Sequence, residues 1–176
     1  MNVTFRKLPT IIVAVGAFIM LGIQLVRPAR TNPATDPAAA LAAHVQVPPD
    51  ISAILNRSCR DCHSNDTRWP WYSNVAPVSW WVIDHVNHGR SHFNFSEWGK
   101  YNRQEQQNLL KRACELVGKG EMPLPSYLRM HDARMSAADV AALCAFTAIC
   151  HLPSVHLPTG AFPVQFPPCS ALSCRP

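Results

Sequence analysis

An all-α domain is predicted for this chain from three observations. Apolar residues recur at helical spacing in several separate stretches, two capping signatures mark helix starts, and no stretch alternates convincingly with period two. With 176 residues and 48% hydrophobic content, the chain has room for one domain behind its N-terminal segment. That composition argues against wholesale disorder.

The first element covers residues 1–27. Leu8 to Val26 is an uncharged, mostly apolar run of 19 residues preceded by Arg6 and Lys7, which predicts a transmembrane helix. Gln24-Leu25-Val26-Arg27-Pro28 is a poor cleavage site, so an uncleaved signal anchor is favoured over a cleaved signal peptide or a buried core helix. Residues 28–49, with Pro33, Pro37, Pro48 and Pro49 among many alanines, read as a tether. Residues 50–150 then form the domain. Asp50 is placed to cap a short helix whose Ile51, Ile54 and Leu55 share one face. Prolines from Trp69-Pro70-Trp71-Tyr72 to Pro77 predict an aromatic loop.

Val78, Trp81, Val82 and Val86 mark the next helix, with His85 on the same face and Gly89 as its stop. Asn102 with Glu105 forms a capping signature for a helix carrying Leu109, Leu110, Ala113, Cys114 and Val117, before Gly118 and Gly120. Ser136 with Asp139 opens the last helix, which buries Val140, Leu143, Cys144 and Thr147. Residues 151–176 are proline-rich and read as a poorly ordered tail. Cys150, Cys169 and Cys174 have no completed ligand set around them. The net charge of +5 is modest and lacks a dense basic block, so no nucleic-acid partner is expected.

Within this frame Cys59-Arg60-Asp61-Cys62-His63 carries the chemistry. Two thiols three residues apart followed by an imidazole is the pattern for covalent haem attachment. On one helical turn, each thiol can add to one porphyrin vinyl group while His63 lies under the iron. For 7 Cys and 8 His in 176 residues, random order would give about 0.01 such matches. A redox dithiol and half a zinc site are the other readings of the motif. The cofactor expected is one haem c on Cys59 and Cys62, with His63 as proximal ligand. Since bacteria form these thioethers outside the cytoplasmic membrane, the domain should face the periplasm.

Met122 is the favoured distal ligand. It lies in Glu121-Met122-Pro123, a loop flanked by Gly120 and stiffened by proline, whose thioether suits haem iron. His85, His92 and His131 are the alternatives. Met1 and Met20 belong to the N-terminal segment, and Met130 and Met135 lack the loop setting. Cys114 and Cys144 face inward on the helices flanking the Met122 loop, so an oxidising compartment permits a disulfide between them; two buried thiols are the other reading. Trp69, Trp71, Tyr72, Trp80 and Trp81 read as core filling, as haem walls, or as both. Arg90 reads as a solvated side chain or a partner for a haem propionate.

Several of these residues together carry a family likeness: Cys59-x-x-Cys62-His63-Ser64-Asn65, Trp69-Pro70-Trp71-Tyr72-Ser73, Ala76-Pro77-Val78-Ser79-Trp80, Gly89-Arg90, Asn94-Phe95-Ser96 and Gly120-Glu121-Met122-Pro123. Over roughly residues 45 to 150 the chain resembles the bacterial haem-binding domain family. The resemblance implies a single c-type haem on Cys59 and Cys62 with His63 as proximal ligand, behind a membrane-directing N-terminus. More loosely, the motif with a later Met-Pro and a closing helix looks like class I cytochrome c. The proline-rich end after Cys150 departs from the family pattern.

The function expected is a membrane-anchored monohaem protein that passes single electrons through a His63/Met122-ligated iron to redox partner proteins. A haem sensor or peroxidase-like enzyme with an open sixth position is the second reading. A haem-free thiol-disulfide oxidoreductase is the third, although the chain lacks a thioredoxin-like alternation of strands and helices.

Overall fold

A computed structural model describes residues 3–149, and among these every regular element is a helix. The chain divides into two compact units, each assembled from separate stretches. The tail 151–176, with Cys169 and Cys174, and Cys150 before it, lie outside the described residues.

The first unit takes in residues up to His44 and Cys59–Lys100. Its α1 spans Val3–Ile23, so it starts before and ends short of the predicted run. The uncharged helical part, 8–23, rises about 24 Å at ~1.5 Å per residue, against a bilayer hydrocarbon core of ~30 Å. Among the described residues no helix is long and apolar enough to cross a membrane. The predicted transmembrane helix is corrected on that point. The apolar side chains of α1 are nevertheless exposed, Phe18 at 78% and Leu21 at 71%.

Residues 28–40 do not hang free of the first unit. Asn32 Nδ2 donates to the Thr67 carbonyl, Trp69 Nε1 donates to Asn32 Oδ1, and the Gly99 N–H donates to the Ala39 carbonyl. The short α2, Leu41–His44, buries Leu41 against a 3-10 helix at Phe95–Lys100. Here α4 (Arg60–His63) packs on α5 (Val78–His92), which also meets a 3-10 helix at Trp71–Asn74. That short helix stands where an irregular aromatic loop was predicted.

The buried face of α5 is Ser79, Ile83 and Val86, whereas Val78 and Trp81 are each 46% exposed. The buried stripe is therefore rotated on the helix from the predicted one. Nor does Gly89 stop α5, which continues to His92. A Cβ at Gly89 would lie 2.5 Å from the Cys62 carbonyl oxygen, so glycine is needed for α4 to approach α5. The ring buried deepest in this unit is Trp98, 1% exposed, while Trp69, Tyr72 and Trp80 are half-buried. Trp71 is 74% exposed, and Trp80 sends its indole N–H to the Val26 carbonyl.

The second unit contains 45–58 and the residues from Tyr101 onward. Its helices are α3 (Pro49–Ser58), α6 (Arg103–Gly118), the short α7 (Pro125–Leu128) and α8 (Ala137–Ile149). Asp50 lies within the first turn of α3 rather than at its cap, where a carboxylate still suits the helix dipole. Asn102 accepts from the Glu105 N–H while Glu105 accepts from the Asn102 N–H, a complete capping box on α6. Ser136 and Asp139 make the same reciprocal pair ahead of α8.

Ile51, Ile54, Val117, Leu143 and Phe146 form the core of this unit, with Met122 and Cys144 half-buried against it. Beyond Gly118 the chain leaves α6 through Gly120, whose φ of 70° is the left-handed conformation glycine tolerates best. Cys114 and Cys144 are joined in a disulfide between α6 and α8.

Candidate functional site

The site builds outward from α4. Cys59 immediately precedes that helix, and its carbonyl accepts from the N–H groups of Cys62 and His63 at 3.3 and 3.0 Å. The turn is held from outside as well. Buried Asp61 takes the Thr67 hydroxyl on its carbonyl at 2.7 Å, and its carboxylate accepts from the Arg68 backbone N–H at 3.2 Å. The Ser64 hydroxyl closes back onto the Arg60 carbonyl at 2.9 Å. A single helical turn thereby becomes a fixed platform for two thiols and an imidazole.

His63 Nδ1 lies 2.9 Å from the Phe93 carbonyl oxygen. A carbonyl can only accept, so Nδ1 carries the proton and Nε2 keeps its lone pair, the tautomer a metal-ligating histidine needs. Burial pushes the His63 pKa below its ordinary value, with His92 adding to the depression. Backbone hydrogen bonds to Phe93 and Gly89 only partly offset it. The imidazole is therefore held neutral. Phe93 and Phe95 stand beside it, with ring centroids at 5.7 and 6.4 Å.

The Phe93 carbonyl is itself positioned by a buried amide network. Asn94 Nδ2 donates to Asn65 Oδ1 at 2.7 Å, the Ser96 N–H donates to Asn94 Oδ1 at 2.9 Å, and the Asn65 N–H donates to Ser96 Oγ at 3.0 Å. These three residues join the stretch after the CxxCH turn to the stretch after α5. Arg90 reinforces the same join. Its guanidinium donates to the carbonyls of Ser64 and Thr31, to Asn32 Oδ1 and to Thr67 Oγ1, at 2.7–3.0 Å. It is thus not simply solvated.

The thiols themselves have a chemical bias. Burial, with the nearby Asp61 carboxylate, pushes the Cys62 thiol up to about 11, against a smaller opposing pull from Arg90. Thiol-disulfide exchange needs thiolate, which burial disfavours at Cys62. Among the described residues no three His, Cys, Asp or Glu side chains gather into a metal-ion site of their own.

The distal candidates fall in both units. Met122 belongs to the second unit, half-buried against its core. His131, in that same unit, stacks on Tyr127 with centroids 4.1 Å apart and rings 10° from parallel. His85 lies in the first unit with its ring against Trp81, and its Nδ1 is 2.8 Å from the Trp81 carbonyl. His92 pairs with His88.

Sequence reasoning found the CxxCH turn but missed the Phe93 carbonyl, the Asn65–Asn94–Ser96 network and the role of Gly89. Asn94 and Ser96 carried a signal as part of the family likeness, whereas a backbone carbonyl has none in any residue name. The donor set fits a haem: a rigid turn presenting two thiols, then a neutral imidazole with its proton on Nδ1 and aromatic rings alongside. Comparison with known proteins points the same way. A family model described as a haem-binding domain matches residues 18–148. No curated protein and no solved structure matches.

Proposed function

The chain belongs to the haem-binding domain family, and on that premise we propose that it carries one covalently attached haem c and passes single electrons. Cys59 and Cys62 would each add S–H across a vinyl double bond, sulfur and hydrogen both ending on the former vinyl carbons with no net oxidation. His63 Nε2 would be the proximal ligand. The observation that carries this reading is the His63 Nδ1 contact with the Phe93 carbonyl at 2.9 Å, which fixes tautomer and ring orientation on the turn that bears both thiols.

When bound, the group supplies a one-electron ferrous/ferric couple. Met122 is the distal ligand in this proposal, since a thioether raises the potential relative to two imidazoles and a fixed ligand pair limits reorganisation. The protein's own contribution is to hold the imidazole neutral, keep aromatic rings beside it and brace the turn through Asp61, Asn65 and Arg90. Redox proteins are the partners proposed.

The same reading places the chain at the cytoplasmic membrane with its haem unit on the periplasmic side. The exposed apolar surface of α1 supports membrane attachment, and the disulfide supports an oxidising compartment. Gln24 ties the end of α1 to the haem unit, donating from Nε2 to the Ala76 carbonyl and accepting the Ala76 N–H on Oε1, both at 3.0 Å. Exposed Trp71 and Trp81 suit a bilayer interface.

The deciding experiment is expression with a c-type maturation system, followed by intact mass under denaturing conditions and a pyridine haemochrome spectrum. The expected product is polypeptide plus one haem, with both vinyl groups saturated. A polypeptide of unmodified mass from matured cells overturns the reading.

A further inference from the structure

We propose that His88 and His92, one turn apart on the solvent-facing side of α5, form a chelating site for a divalent transition-metal ion in addition to the haem turn. Both side chains are exposed, and their Nε2 atoms converge to 3.1 Å with ring centroids 4.4 Å apart. Residues four apart on a helix lie on one face, but adjacency alone does not aim the same ring atom of each at a common point. Here it does.

The separation matches chelation. Two imidazole nitrogens bound to one ion at about 2.0–2.1 Å, with bond angles between square and tetrahedral, stand about 2.8–3.4 Å apart. Neutral imidazole favours zinc, copper and nickel over magnesium or calcium. Paired histidines at this spacing on a helix are a recurrent zinc-binding arrangement. With two protein ligands the ion would keep positions for water. The competing account is a plain N–H···N hydrogen bond, which needs one ring to donate and leaves no common lone-pair direction.

The test is calorimetric titration of the haem-loaded full chain with nickel(II), so that His63 is engaged elsewhere. The chain is compared with His88→Ala, His92→Ala and, as a control, His85→Ala. Cysteines near the C-terminus add background, so the readout is the difference between curves. Each of the first two variants should lose one ion per chain, seen as about a hundredfold weakening when a two-point chelate becomes a single imidazole. His85→Ala should match the parent. Curves for His88→Ala and His92→Ala that superimpose on the parent, or a loss in one of them alone, overturn the chelate. The same differences can be read on haem-free chain, so a failure of haem attachment leaves this test standing.

Discussion

The proton on His63 Nδ1 is fixed by the group that faces it, and this local fact governs what the residue can do. The ring is neutral and its outer nitrogen is a ready ligand, so His63→Ala should abolish the low-spin haem spectrum in material that still carries covalent haem by mass. For the distal position, Met122→Ala should remove the near-infrared methionine-to-ferric-iron charge-transfer band and open the ferrous protein to carbon monoxide. A band and carbon monoxide response identical to the parent would assign the sixth ligand elsewhere. If the unmodified chain already binds carbon monoxide readily, the sensor or peroxidase-like reading takes over. Gly89 is the residue whose meaning changed most between sequence and structure. It read as a helix stop, yet it lies inside α5 because a Cβ there would strike the Cys62 carbonyl. Gly89→Ala should destabilise the first unit by about 1–3 kcal/mol, the usual cost of overpacking, measurable by urea unfolding.

At the scale of elements, α6 and α8 begin where their capping residues say they should. Asn102 and Ser136 were legible because a cap works through bonds within four residues. Asn102→Ala should cost about 1 kcal/mol in urea unfolding. Asp139 adds a pH dependence. Its bonds to the Ser136 backbone and hydroxyl, and then Arg57, hold its carboxyl below the ordinary 3.8. A depressed folded pKa means the stabilisation is complete above the unfolded value and is lost as pH falls from about 3.8 through the folded value. Urea midpoints for the parent and Asp139→Ala should differ at pH 6 and converge on acidification toward about pH 2; a pH-independent gap would refute this role. Between elements, the Cys114–Cys144 bridge closes a sequence separation of 30 residues. Its reduction should cost about 3 kcal/mol, within the usual range for such a loop. The faces of the helices were less legible than their starts. Val78 and Trp81 are as hydrophobic as Ile83 and Val86, and only the position of α4 decides which pair is buried.

For the whole molecule, the proposal that α1 enters a membrane predicts co-flotation of the full chain with phospholipid vesicles. A chain beginning at Arg27 should remain at the bottom of the gradient. Replacing Trp71 and Trp81 by Ala should weaken flotation without releasing it, since α1 supplies most of the exposed apolar surface. Equal flotation of the shortened and full chains would dissociate α1 from any membrane role. Helical class, capped starts and the spacing of Cys59, Cys62 and His63 are properties of short stretches of sequence, set by local bonding and periodicity, and the sequence alone determined them. The Phe93 carbonyl against His63, the use of Arg90 as a tie and the burial of Trp98 join residues far apart along the chain. Only the tertiary structure decided those, because their energetics depend on which distant backbone and side-chain atoms arrive within hydrogen-bond or van der Waals distance.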